Sequence, residues 1–475
     1  MKVYFLAGLF TALAVGAPTF NKDIAPILYD NCATCHRPGE VAPFSLLTYQ
    51  DAAKRASLIA TVTKKRYMPP WKPEPGYGSF DHTRRLTDEQ IAQIQEWAEA
   101  GAPEGPAADK PAVPTFPSGW QAGEPDQVLK TSAPYMLPAD GPDRFRCFVL
   151  PMNLDKTSYV SGAEFRPGNP RIVHHALVFL DTTGTARKLA AASGGGYPCF
   201  GGPGFSGAGL VMGWAPGYTP LPAEPALSQT VRPGTDVVIQ IHYHPSGKPE
   251  VDQSSIGLKF SGPPTKGRAL LLVLNRYLDI PAGESHYVVK ASVMVPQDAE
   301  LWGITPHAHY LATDMKVDAR LPDGSVTPLI RIKDWDFNWQ GQYRYEKPIK
   351  LPKGTKIELE YVYDNSAGNP HNPSHPPVRV RFGEQTKDEM ALAFLGLVLP
   401  SPEDVQPFQR AVVLQYVEDF IRLTDNLDDL PPEVPQAMAG RLRLALSMFD
   451  RDGDGKLNAE ERATLLKFVQ TMMPQ

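Results

Sequence analysis

Cysteine is scarce: the 475 residues carry four. That excludes a disulfide-dense scaffold, where cysteine exceeds about 8% of a short chain, and it gives each cysteine present the weight of a specific role. A surplus of positive charge is lacking too. With 47 Lys and Arg against 52 Asp and Glu the formal net charge is −5, so there is no basic footprint for nucleic acid or an anionic bilayer. A small substrate or a soluble partner fits better. Long apolar runs are missing beyond the first residues, because nothing after Val3–Val15 approaches the roughly 20 apolar residues of a spanning helix. A helical composition is missing as well: 49 prolines and 39 glycines make up about a fifth of the chain, where roughly 12% is usual. Many turns and short strands are expected.

What is present begins with a leader. Met1-Lys2, the apolar run Val3–Val15 and the small-residue exit Val15-Gly16-Ala17 read as a secretory signal over residues 1–17. The mature chain is then expected in a periplasm or outside the cell, with no transmembrane segment after cleavage.

Two of the four cysteines stand in Cys32-Ala33-Thr34-Cys35-His36, the C-x-x-C-H spacing of covalent c-type haem attachment. Both sulfurs bond the porphyrin, and the adjoining imidazole takes one axial position. A thioredoxin-like redox pair has the same C-x-x-C spacing, but no strand and crossover pattern surrounds it. The second axial position falls to Met68 in Tyr67-Met68-Pro69-Pro70-Trp71, because prolines hold a loop and a thioether opposite His raises the haem potential. His82 is its rival. Helices are expected at Ala52–Arg66 and from the capping box Thr87-Asp88-Glu89-Gln90, the latter burying Ile91, Ile94 and Ala98 and stopping at Gly101. Residues 18–105 resemble a cytochrome c domain, and NCATCHRPGE and MPPW are similar to motifs fused to other exported bacterial enzymes. A Pro- and Ala-rich linker follows over 106–119.

From about 120 to 400 the chain alternates apolar and polar residues in short stretches, such as Asp236–Tyr243, Ser285–Val295 and Lys356–Tyr363. The fold class expected is mostly β: two tandem antiparallel sandwiches, 120–262 and 263–400, parted near Gly262-Pro263-Pro264, with a helical domain before them and a helical segment after.

Histidines in this region carry the chemistry. His307 and His309 are two apart on an apparent strand, so both rings leave one face and can chelate one ion. His174 and His175 are neighbours, which on a regular strand point apart. Sharing a metal requires a strand end, a bulge or different ring nitrogens. Gln240, His242 and His244 share a face, and spacing does not choose between the two histidines. Met390 opens an apolar run and competes with Met315 as a thioether.

The order of motifs RIVHHALVF, IQIHYH, TPHAH and GEQTKDEM over about 125–400 resembles the copper type II, ascorbate-dependent monooxygenases, which include the peptidylglycine- and dopamine-hydroxylating enzymes. The resemblance implies two copper ions. His174, His175 and His242 hold the one that collects electrons; His307, His309 and Met390 hold the one where dioxygen meets the substrate C–H bond. It selects His242 over His244 and Met390 over Met315, and it places Gln240 beside the electron-collecting ion. Ascorbate or another donor supplies electrons. Where peptide-amidating members carry Arg, Asn and Tyr, this chain has Thr305, Leu392 and Phe394, so a carboxylate-terminated peptide loses its anchors. Animal members are rich in disulfides. Here an exported setting permits one bond, Cys147 to Cys199.

The C-terminal region, 401–475, is patterned as helix at Pro407–Leu423 and Val434–Phe449 and then matches a calcium EF-hand loop. Oxygen ligands fall at Asp450, Asp452, Asp454, the Lys456 carbonyl, Asn458 through water and bidentate Glu461, with Gly455 at the turn. Together these features point to an exported copper monooxygenase with its own haem donor, acting on a small-molecule or peptide-like substrate with dioxygen and open to a redox partner protein. A copper-binding or electron-transfer protein without turnover is the alternative.

Overall fold

A computed structural model describes residues 16–472 apart from 41, 118, 192, 194–195, 200–201, 206–208, 217, 219, 384, 424–439, 441–443, 445–446 and 455. Nearly all of the expected signal, most of the helix expected at Val434–Phe449, and Gly455 of the calcium loop lie outside the described residues. The protein is mostly β, with 33% strand and 21% helix. Among the described residues no helix is long and apolar enough to cross a membrane.

The chain divides into two compact units, Met1–Trp71 with Thr83–Phe116, and Lys72–His82 with Pro117–Gln475. The first is helical. A π-turn at Phe20–Ile24 leads into α1 (Ala25–Asn31), followed by α2 (Tyr49–Ala53), α3 (Ala56–Lys64) and α4 (Asp88–Glu99). The single helix expected over Ala52–Arg66 is broken in two. Arg55 leaves helical dihedrals at φ −121°, ψ 14°, donates to the Asp51 carbonyl at 3.0 Å and lays its guanidinium over the Phe44 ring. The capping box of α4 forms as expected: Thr87 accepts from the Gln90 amide, and Gln90 returns the bond. Ile94 and Trp97 are its buried face and join Phe20, Ile24, Leu28 and Ile59 in one core; Ile91 and Ala98 are half-buried against it.

In the second unit the strands run β1 Gln127–Lys130, β2 Tyr135–Leu137, β3 Arg144–Pro151, β4 Ser158–Arg166, β5 Val173–Asp181, β6 Gly196–Pro198, β7 Gly209–Trp214, β8 Gln229–Val231, β9 Asp236–Tyr243, β10 Glu250–Asp252 and β11 Ser255–Phe260. A helix, α5 (Thr185–Ala191), follows β5. Beyond the Gly-Pro-Pro break come β12 Gly267–Asn275, β13 Asp279–Ile280, β14 Tyr287–Met294, β15 Ala299–His307, β16 Ala312–Arg320, β17 Val326–Ile332, β18 Tyr343–Leu351, β19 Lys356–Tyr363, β20 Val380–Arg381 and β21 Ala391–Leu399. The larger sheets have orders β1-β11-β4-β8, β6-β3-β9-β5-β7, β12-β21-β15-β18 and β14-β19-β16-β17.

The first two of these sheets share one core, in which Val160, Phe165, Ile256 and Leu258 meet Phe148, Val178, Ile239 and Ile241. Strand β9 departs from the alternation expected of it, since all of its residues are buried. The reason is a second layer on its outer face, where Val238 packs with Cys147, Cys199 and the Ala186 and Ala190 face of α5. In β19 the alternation holds, with Ile357, Leu359, Tyr361 and Tyr363 buried. The segment Lys72–His82 lies along β17 and β18: the Glu74 amide donates to the Arg331 carbonyl at 2.7 Å, the Glu346 amide donates to Ser79 at 3.0 Å, and Phe80 packs on Tyr343 and Tyr345. At the C-terminal end α6 (Val405–Leu423) and α7 (Ala459–Met472) share a small core of Val417, Phe420, Ile421, Leu457 and Leu465.

Candidate metal centres

The neighbours His174 and His175 are brought to one side by a β-bulge. Val173 pairs with Tyr243 and His175 with His242, so His174 is the extra residue of β5, and the strand's alternation is interrupted there. Both rings then lie on the outer face of the five-stranded sheet together with His242 of β9. The Nδ1 atoms of His174 and His175 are 3.3 Å apart, as are those of His242 and His175, and one ring nitrogen from each of the three falls within 4.8 Å of the others. Burial, and then the charge of His242, hold His174 down to about 4; the same two causes, in the same order, lower His175. His174 and His175 are therefore neutral at neutral pH, and each offers the lone pair of one ring nitrogen to a metal.

Asp143 decides the orientation of His242. The outer Nε2 of His242 donates to Asp143 Oδ2 at 2.7 Å, while His244 Nδ1 donates to the other oxygen at 2.8 Å. Burial pushes the Asp143 carboxyl up, but the bonds and charges of His242 and His244 outweigh it and hold the group at about 2. With Nε2 occupied, Nδ1 faces the set, which is the carboxylate–histidine arrangement common around bound metals. His244, with its side chain 69% exposed, lies outside the set. Gln240, two residues before His242 on β9, donates its amide to the carbonyls of Cys199 at 2.8 Å and Gly202 at 3.1 Å, fixing the loop that the Cys147–Cys199 disulfide closes.

The second pair is wired the other way round. His307 is the last residue of β15 and His309 lies beyond it, so the two do not share a regular strand as the sequence reading had it. Their ring centroids are nevertheless 5.3 Å apart. His307 Nδ1 donates to Gln340 Oε1 at 2.5 Å, which leaves Nε2 for a ligand bond, and His309 Nδ1 donates to the Asp388 carbonyl at 2.9 Å. Burial, then the nearby His309, lower His307 to about 4.

Glu389 replaces the ladder where β15 stops. Its carboxylate accepts from the amides of His309 (2.8 Å), Leu311 (2.6 Å) and Met390 (3.0 Å), and Tyr363 donates to the Met390 carbonyl at 2.7 Å. One buried side chain thus ties the backbone of His309 to that of Met390. Burial pushes the Glu389 carboxyl up to about 8 against the pull of those amides. Met315, the rival thioether, is fully buried in β16 opposite Ile332 and Tyr361. The sequence offered little warning of Asp143, Glu389 or Gln340. An acidic residue at the mouth of the apolar run 391–399 was the one available signal.

In the helical unit Cys32, Cys35 and His36 occupy one turn, with the His36 amide donating to the Cys32 carbonyl at 2.9 Å. Both thiols are free; burial, then Cys35, push the Cys32 thiol up to about 12. His36 Nδ1 donates to the Phe44 carbonyl at 3.1 Å, so Nε2 is the nitrogen left for a ligand bond. Met68 lines a small hollow with Thr63, Pro69, Trp71, Leu86 and Ile91. His82, its rival, belongs with the β unit. Far along the chain the carboxylates of Asp450, Asp452 and Asp454 lie within 4.8 Å of one another. Glu461 turns inward and accepts from the Arg451 and Asn458 amides at 2.7 and 2.9 Å.

The fold and sites define a mostly antiparallel β protein with two histidine sets and a helical unit bearing a C-x-x-C-H turn. No family model matches the chain, and no curated protein matches it. Among solved structures it is similar to PNGF-II at 10% identity, over 58% of this chain and 62% of that one, with a TM-score of 0.23. It is likewise similar to the VP2 subviral particle of infectious bursal disease virus at 10% identity, over 62% and 77%, with a TM-score of 0.17. The chain thus spans less than two thirds of PNGF-II, and similarities of this size carry no argument about fold or activity.

Proposed function

We propose that the chain is an exported copper-dependent monooxygenase of the copper type II, ascorbate-dependent class, hydroxylating a C–H bond with dioxygen and drawing electrons through a c-type haem. The observation that carries this reading is the opposite wiring of the two histidine sets: three Nδ1 atoms drawn together in one, two rings held through Nδ1 in the other, where Glu389 ties the backbone of His309 to that of Met390. Copper at the sets supplies one-electron redox chemistry and dioxygen reduction, and the haem supplies electrons. The three-imidazole set suits an ion that only cycles electrons. The His307, His309 and Met390 set adds a thioether, which favours the reduced ion.

The remaining residues position and exclude. Asp143 and Gln340 hold the tautomers, and Glu389 and Tyr363 fix where Met390 leaves the sheet. Thr305 pairs with Phe394 and His307 with Leu392 across β15 and β21, so one sheet face beside His307 offers a hydroxyl and two apolar side chains and no cation. An uncharged C–H substrate fits that face better than a carboxylate-terminated peptide. Cys32, Cys35, His36 and Met68 are the haem residues of the helical unit; Asp450, Asp452, Asp454, Lys456, Asn458 and Glu461 hold a calcium ion that stabilises the C-terminal appendage.

Hydroxylation consumes two electrons beyond the pair in the C–H bond, the second oxygen atom leaving as water. With the metals loaded, reduced haem is therefore expected to be reoxidised rapidly by dioxygen only when copper and substrate are both present. Stopped-flow absorbance of the haem reads this directly. Unchanged reoxidation in His242→Ala would sink the intramolecular electron route.

A further inference from the structure

Phe337 stands where neither histidine set calls for an aromatic. Its ring centroid is 4.5 Å from Tyr310 and 5.8 Å from His309 on one side, and 6.3 Å from His174 on the other, the last pair inclined by only 22°. It faces one imidazole of each set, although His174 belongs to the five-stranded sheet and His309 follows β15. These separations are those at which aromatic rings interact.

The segment carrying it, residues 333–342 between β17 and β18, is tied to β16, where the Trp335 amide donates to the Thr313 carbonyl at 3.3 Å, and to the second set. Trp335 Nε1 donates to the His309 carbonyl at 2.9 Å. Gln340 accepts from His307 Nδ1 at 2.5 Å, and its amide donates back to the Phe337 carbonyl at 3.0 Å. At its start Asp334 pairs with Lys72 at 2.8 Å. Apart from that ion pair and the Thr313 bond, these bonds fasten the segment to residues of the second set or to itself, while Phe337 at its tip also meets His174 of the first.

We propose that this segment couples the two sets, with Phe337 as the positioning residue. Fixing the His307 and His309 rings by a metal fixes Gln340 and Trp335, and these hold Phe337 against His174. The three-histidine set is then ordered before its own ion arrives, so part of its ordering cost is already met. By linkage, loading the first set favours loading the second to the same degree. This rests on the metal reading above.

The test is a copper(I) titration of the haem-loaded, otherwise metal-free full chain against a competing chelator, with electron paramagnetic resonance of the oxidised protein to report the three-histidine set. His307→Ala is expected to weaken copper at that set about tenfold, although it removes none of its ligands. Phe337→Ala should do the same, the double variant should be no worse than either single change, and Phe337→Tyr, which keeps the ring, should retain the coupling. Such non-additivity marks a shared path. Additive losses in the double variant, or a His307→Ala protein whose three-histidine set is unaffected, overturn the coupling. Two coppers bound independently sink the coupling alone; a wild-type chain that binds no copper at either set removes the metal reading and the coupling with it.

Discussion

Asp143 does for the first histidine set what no ligand can do for itself. By taking the outer nitrogen of His242 it fixes which lone pair faces inward, and because it is held at about 2 it stays ionised at any physiological pH. Asp143→Ala is therefore expected to lower copper affinity at the three-histidine set roughly 10- to 100-fold, with Asp143→Asn falling between, read by chelator competition. The histidines themselves set a pH dependence. His174 and His307 are held at about 4 in the fold against an ordinary value of 6.5. Above pH 6.5 folded and unfolded chains both carry these rings neutral. Between 6.5 and about 4 the unfolded chain binds protons that the folded chain refuses, so stability rises with pH across that window and is lost as pH falls. The metal-free protein should show a declining Tm through it, and a His174→Gln/His307→Gln variant a flatter one. If the two proteins trace the same profile, these rings are not the cause. None of this orientation was legible in the sequence: Asp143 stands in a Gly-Pro-Asp turn 99 residues from the ring it orients, and there it reads as an ordinary turn residue.

Strands account for what happens between neighbours. The adjacent pair His174 and His175 was visible from the start, with a bulge among the geometries that let both rings share a metal; the shift of register against β9 supplies it. His307 and His309 invited the opposite reading, a regular strand with both rings on one face. The strand ends at His307 instead, and the amides that would have entered a ladder go to Glu389. Leaving these two buried donors without an acceptor costs about 1–3 kcal/mol each where nothing replaces it. Glu389→Ala should thus destabilise the β unit by about 3 kcal/mol or more, seen as a lower urea midpoint at unchanged slope, and it should also loosen Met390. Glu389→Gln, which keeps one acceptor oxygen, should cost less. A Glu389→Ala protein as stable as wild type would mean that water satisfies those amides. The break of the expected Ala52–Arg66 helix has the same kind of cause, a side chain bonding back to the chain: Arg55 on the Asp51 carbonyl. Propensity over a window does not register one such bond.

At the scale of the molecule the helical and β units have separate cores. Scanning calorimetry of the full chain should resolve more than one transition, and copper at about 100 times its Kd should raise the β transition alone, by an amount worth about 2.7 kcal/mol. A single transition that moves as a whole would show that the units unfold together. What the sequence by itself determined were quantities that depend on composition and near neighbours. Proline and glycine content with period-2 alternation marked a mostly β protein, a box of four residues capped α4, and the C-x-x-C-H and acidic-loop spacings marked candidate ligands because those ligands lie within a few residues of one another. The two histidine sets are different in kind. His175 and His242 are 67 positions apart, and His309 and Glu389 are 80 apart. Which ring nitrogen His242 offers, and the placement of Phe337 between the two sets, were decided only by tertiary structure, because each depends on a hydrogen bond or ring contact between segments that only folding brings together.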